Sequence, residues 1–284
     1  MNTCDIVSAR LGEITLPDGR ALGFAEYGTL DGTPVLFIPG AASGRAMSFG
    51  GELLRERAIR LISVDRPGFG SSDQDPAKTL RSVAEDLRYL LSALGLGRIP
   101  LIAHAQGAPF ALALAATGAV SSLNLVSPSD EVAYPTITAL LPEELVALVD
   151  AVGREPETAR AHFAGYTPEL MWEYVMSEIS SADAEVYGDE EFRALYRRTL
   201  AESFSGGLDG FATDTILTMS PWLLPLERID VPVHVWFGDR DEVHSPDHGE
   251  TLAHRIPGAQ RHLVSGAGGS LLWSEPGLFL GYLD

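Results

Sequence analysis

Cysteine is almost absent: Cys4 is the single one among 284 residues. No disulfide can form within the chain, and nothing points to an oxidising compartment. Basic residues are also scarce, with 20 Lys and Arg against 39 Asp and Glu for a formal charge of −19. So acidic a surface repels nucleic acid and anionic lipid, and neither is expected as a partner. No apolar run reaches the roughly 20 residues of a membrane-spanning helix. The opening residues, MNTCDIVSAR, lack the charged start and apolar stretch of a secretory signal. A soluble, cytoplasmic protein is expected. No pair of histidines or carboxylates has metal-ligand spacing. Gly40-Ala41-Ala42-Ser43-Gly44 is not followed by the Gly-Lys-Ser/Thr of a phosphate loop. No metal and no cofactor is expected.

Hydrophobic residues make up 45% of the chain, enough for one large core. Residues 12–27 read as a hairpin turning at Pro17-Asp18-Gly19. Apolar runs at 35–38, 60–64, 100–103, 123–126, 233–237 and 262–264 read as strands. Helical patterns fall at 46–57, at 79–94 with Thr79 as its cap, near 247–255 and from about 270. Strands alternating with helices mean a mainly parallel sheet with helices on both faces. Between residues 130 and 222 the pattern is helical throughout. The fold class expected is therefore α/β, with residues 1–129 and 223–284 as the core and 130–222 as an inserted helical cap.

Residues 100–114 run from a buried strand through small residues into an apolar helix. That is the build of a nucleophile elbow, in which a small-x-nucleophile-x-small pentapeptide raises one side chain above the sheet. Here the pentapeptide is Ala103-His104-Ala105-Gln106-Gly107, and the central position holds Ala105, which has no attacking atom.

With these segments in view the chain resembles the α/β-hydrolases over nearly its whole length. Residues 37–45 are similar to the family's oxyanion loop, with Pro39 where a histidine often stands, and Asp65-Arg66-Pro67-Gly68-Phe69-Gly70-Ser71-Ser72 is close to a common family segment. Phe237-Gly238-Asp239-Arg240-Asp241 resembles the segment of the triad acid, which maps onto Asp241. The family's histidine segment corresponds to Gly266-Ala267-Gly268-Gly269, with Gly269 in the histidine's place. The resemblance thus implies the family's fold and an acid without its serine and histidine. Serine-type acyl transfer needs all three groups. Backbone N–H groups of Ala41 and Gln106 are the implied oxyanion hole.

These readings lead to an expected enzyme of small-molecule, natural-product type metabolism that performs non-hydrolytic lyase, isomerase or cyclase chemistry on an apolar carbonyl compound. Asp241 and His244 are the candidate acid–base groups. His244 follows Asp241 by three residues at the sheet's C-terminal edge, where ligands bind in open α/β folds. If no other donor replaces the imidazole missing at 269, burial is expected to raise the pKa of Asp241. Ala105, Gly269, Ser43, Arg45 and His104 are placed at the pocket, with His104 packed and hydrogen-bonded. The expected partner is a small-molecule substrate or ligand, and a homodimer is left open. A catalytically inactive ligand-binding pseudoenzyme, a hydrolase using other residues and an inactivated hydrolase variant stand as alternatives.

Overall fold

The computed structural model describes residues 9–283. Cys4 and the opening residues read above as lacking a secretory signal lie outside the described residues, apart from Ala9 and Arg10. The eight strands among the described residues are β1 (Arg10–Thr15), β2 (Ala21–Gly28), β3 (Thr33–Ile38), β4 (Ile59–Val64), β5 (Ile99–Ala105), β6 (Val120–Pro128), β7 (Val233–Gly238) and β8 (Gln260–Val264). They form one sheet in the order β1-β2-β4-β3-β5-β6-β7-β8. β2 is antiparallel to β1 and β4, and every other pairing is parallel. The mainly parallel α/β sheet expected from the alternation is therefore the fold.

Both faces of the sheet are covered, and the period of two in the strands divides the core accordingly. Leu36, Ile38, Ile62, Val64, Leu101 and Ala103 pack with Leu87, Leu90, Phe110 and Leu112 of helices Leu80–Ala93 and Ala108–Ala115. On the other face Val35, Phe37, Leu61, Ile102 and Trp236 join side chains from helices that follow β6. Helix Ala108–Ala115 is buried at every position, which is why its sequence shows no polar face. Helix Leu80–Ala93 starts with a capping box, in which Thr79 Oγ1 accepts from the Ser82 N–H and Ser82 Oγ accepts from the Thr79 N–H, each at 2.9 Å.

Two helical expectations shorten. Of residues 46–57 only Gly51–Glu56 is helix, because the chain passes through left-handed backbone at Gly50 (φ 79°) and Gly51 (φ 40°). The helix expected from 247 runs Glu250–Arg255; Asp247 precedes it and accepts from the N–H groups of Glu250 and Thr251.

Between β6 and β7 the described elements are all helical, from Pro135–Thr138 to Asp209–Met219. Helix Asp209–Met219 is tied to the sheet by a fully buried ion pair, Arg66 Nε to Asp214 Oδ2 at 2.7 Å. Lys78 Nζ pairs with the other oxygen of the same carboxylate. No helix among the described residues is long and apolar enough to cross a membrane.

Candidate active site

β5 ends at Ala105, whose φ of +46° puts an L-residue in the left-handed region. That conformation costs on the order of 1 kcal/mol and is held by the packing around it. The small neighbours make it feasible: a Cβ on Gly107 would lie 2.4 Å from the Ile38 carbonyl, and one on Gly40 would lie 3.2 Å from the Ala105 Cβ. The turn therefore has the strained strand-to-helix geometry its sequence suggests, and it presents a methyl group. Helix Ala108–Ala115 follows directly.

The loop after β3 runs beside it. Arg66, with no exposed surface, donates from Nη1 to the Pro39 carbonyl at 2.5 Å and from Nη2 to the Gly40 carbonyl at 3.0 Å. These bonds fix the loop that carries Ala41 and Ser43 and connect it through Asp214 to the inserted helices. Burial lowers the pKa of Lys78, against the pull of Asp214. Ser43 is buried and donates to the Ala41 carbonyl at 3.1 Å. Arg45 does not turn to the cavity with Ser43. Its guanidinium pairs with Asp65 at 3.3 Å, and its N–H donates to the same carboxylate at 2.7 Å.

Asp241 and His244 are in direct contact: Nδ1 lies 3.0 Å from each carboxylate oxygen. The N–H groups of Val243 and His244 also donate to Asp241 Oδ1, each at 3.2 Å. Burial alone would raise the pKa of Asp241, but the imidazole and these hydrogen bonds outweigh it and hold the carboxyl below its ordinary range. The expectation of a raised value held only in the absence of another donor, and that condition is not met, because His244 folds back onto the carboxylate. For His244 burial opposes protonation, and the charge and hydrogen bond of Asp241 prevail and raise its pKa above 6.5.

Gly269 stands against this pair, and its absent side chain is what admits the ring. A Cβ there would lie 2.8 Å from His244 Cε1 and 3.2 Å from Asp241 Oδ1. His104 packs edge-on against both His244 and Trp273, with centroid separations of 5.5 Å and 4.8 Å. Its Nε2 lies 3.5 Å from the Gly269 carbonyl. Burial and the neighbouring His244 press its pKa down to about 3, so it stays neutral.

A cavity of about 450 Å³ joins these groups, lined by Ala41, Ser43, His104, Ala105, Gln106, His244 and Gly269 from the sheet's edge and by residues of the inserted helices. Sequence reasoning missed Asp183, which reaches from the inserted helices to the loop of Gly269. It accepts from the Ser270 N–H at 2.8 Å and from Ser180 Oγ at 2.6 Å. Gly268 makes room for it, since a Cβ there would lie 2.3 Å from Asp183 Oδ1. No local pattern marks Asp183, because its partner lies 87 positions away in the chain. Among the described residues no group of three or more His, Cys, Asp or Glu side chains could hold a metal ion.

The family model for the alpha/beta hydrolase fold matches residues 33–276. The sn-1-specific diacylglycerol lipase ABHD11 of Danio rerio is 23% identical over 176 residues, which is 61% of this chain and 49% of that protein. This chain thus spans about half the length of that relative. The 2-hydroxy-6-oxononadienedioate/2-hydroxy-6-oxononatrienedioate hydrolase 2 of Pseudomonas putida is 26% identical over 246 residues, covering 84% of this chain and 80% of that enzyme. Among solved structures, an esterase from Exiguobacterium antarcticum superposes with a TM-score of 0.68 at 20% identity, covering 95% of this chain and 96% of that one. These relatives are named as hydrolases, which overturns the expected lyase, isomerase or cyclase chemistry. That expectation treated loss of the serine and of an imidazole at 269 as loss of hydrolysis. A water molecule can serve as nucleophile wherever a base and an oxyanion site remain.

Proposed function

The chain belongs to the alpha/beta hydrolase fold family, and from that premise we propose that it is a hydrolase whose nucleophile is water, activated by His244 on Asp241. In this reading the family's triad is rearranged: Ala105 stands in the serine's place, Gly269 in the histidine's, and the imidazole comes from the acid's own loop. The observation that carries it is the His244 ring, bonded through Nδ1 to Asp241 at 3.0 Å and filling the space beside Gly269.

With Nδ1 turned to the carboxylate, Nε2 is the nitrogen left to take a proton from water. Hydroxide adds to the carbonyl carbon of a substrate seated above the Ala105 methyl. The developing oxyanion accepts from the backbone N–H groups of Ala41 and Gln106. The imidazolium then returns its proton to the leaving group as the tetrahedral intermediate collapses. No bond forms between protein and substrate. Residues 130–222 act as a cap that keeps bulk water from the site, and residues 1–129 and 223–284 supply the chemistry.

The hydrolytic relatives and the paired His244 and Asp241 favour this reading over a pseudoenzyme, for which His244 would need no carboxylate. The test is hydrolysis of a panel of uncharged phenyl esters in ¹⁸O-water. Steady release of phenol without a burst is expected, with one solvent oxygen in the acid and no labelling by a fluorophosphonate. His244→Ala should lower turnover by on the order of 10²-fold or more. Hydrolysis unaffected by His244→Ala overturns the proposal.

A further inference from the structure

The lining of the cavity is one-sided in charge. Apart from His244, which is paired with Asp241, its charged groups are the carboxylates Glu178 and Asp183, and no lysine or arginine of the described residues lines it. Three buried or half-buried cations on the sheet side are paired elsewhere: Arg66 and Lys78 with Asp214, and Arg45 with Asp65. A carboxylate on a substrate would meet like charge at both positions, with repulsion least screened at the buried Asp183.

Gln106 adds a directional feature. Its Nε2 lies 3.3 Å from Thr218 Oγ1 and 3.5 Å from Thr215 Oγ1. Both hydroxyls already donate their protons, Thr215 to the Phe211 carbonyl at 2.9 Å and Thr218 to the Thr215 carbonyl at 3.2 Å. They can therefore only accept, which fixes Nε2 as the donor and leaves Oε1 as the amide's acceptor. That Oε1 is buried and has no partner among the described residues, in a residue that lines the cavity. An unpaired buried acceptor is costly and is satisfied when a donor arrives.

We propose that the cavity selects an uncharged, largely apolar carbonyl compound whose hydroxyl, remote from the carbonyl, donates to Gln106 Oε1, and that Glu178 and Asp183 reject carboxylate-bearing substrates. The proposal rests on the hydrolytic reading only for the substrate's carbonyl group. It separates this chain from its Pseudomonas putida relative, whose named substrates are dioates. Rejection of the wrong substrate by placed like charge is specificity by repulsion, and the Gln106 acceptor is specificity by satisfaction.

The probes are the anilides of hexanoic acid, of 6-hydroxyhexanoic acid and of adipic acid as its monoanilide, measured by calorimetry at pH 7. A second series uses the corresponding phenyl esters for turnover. The hydroxyl compound should bind tightest, and the carboxylate at least about tenfold more weakly than the plain anilide. Gln106→Leu should abolish the preference for the hydroxyl and leave the carboxylate penalty. Glu178→Gln, at an exposed position, and Asp183→Asn, which keeps an acceptor for the Ser270 N–H, should each shrink that penalty. A carboxylate bound as tightly as the plain anilide, a hydroxyl preference that survives Gln106→Leu, or no binding of any anilide overturns the proposal. The expected ranking of anilides without turnover of any ester supports it and overturns the hydrolytic reading alone.

Discussion

A side chain on Gly269 and the ring of His244 exclude one another: a Cβ at 269 would stand 2.8 Å from Cε1 and 2.9 Å from Nδ1. On the mechanism proposed above, the two positions are alternative sources of one imidazole. A histidine can occupy the loop before the last helices, or a glycine there can admit a histidine from the acid's loop. In this chain position 269 is glycine and the His244 ring stands beside it.

Gly269→Ala should accordingly displace the His244 ring from Asp241. Because a shift of about 1 Å in a catalytic group costs on the order of 10²-fold, ester turnover should fall by about that much. The overpacking itself should cost about 1–3 kcal/mol of stability. Gly97→Ala, with nothing within 4 Å of the added methyl, serves as the control and should leave turnover unchanged. Paired kinetics and thermal melts of the two variants check the prediction.

The pH profile follows from the Asp241–His244 pair. A general base works unprotonated, so kcat/KM should rise with pH and level off above the pKa of His244, which Asp241 raises above the ordinary 6.5. Asp241→Asn removes the charge that favours the imidazolium while burial continues to oppose it. The acid limb should then move to lower pH, and the plateau should fall as the ring loses its orientation. A profile measured on both proteins with one uncharged ester decides this; an acid limb unmoved by the substitution contradicts it.

Ala105→Ser would put a hydroxyl at the apex of the strained turn. If His244 serves this position, the variant should show a burst of phenol and labelling by a fluorophosphonate, neither of which is expected with Ala105. Mass spectrometry of intact protein would show the adduct in Ala105→Ser and not in Ala105→Ser with His244→Ala.

Asp214 is buried between Arg66 and Lys78. Replacing it with asparagine leaves two buried cations without their carboxylate, which should cost about 3–5 kcal/mol of folding stability by denaturant titration. Arg66 also holds the carbonyls of Pro39 and Gly40. Below the unfolding transition the variant should therefore lose turnover more than substrate affinity if, as proposed, the N–H groups of that loop act on the oxyanion and not on the ground state.

Much of the architecture follows from local sequence. Alternation of apolar runs with amphipathic segments points to a parallel sheet clad in helices, and the small residues around Ala105 leave room for a sharp strand-to-helix turn. The turn, the capping box at Thr79 and the wholly apolar helix after Gly107 depend on neighbours a few residues apart, and such terms are readable from one stretch of chain. The chemistry was misread because it depends on distant meetings. Whether His244 faces solvent or returns to Asp241 is decided by the space at Gly269, 25 positions on. Asp183 meets the Ser270 N–H only after the inserted helices pack on the sheet, and Arg66 finds Asp214 across 148 positions. These contacts form because burial leaves a charged group no water to turn to, so each is paired by whatever the packed chain brings within reach. That choice belongs to the tertiary structure, and periodicity along the sequence carries no record of it.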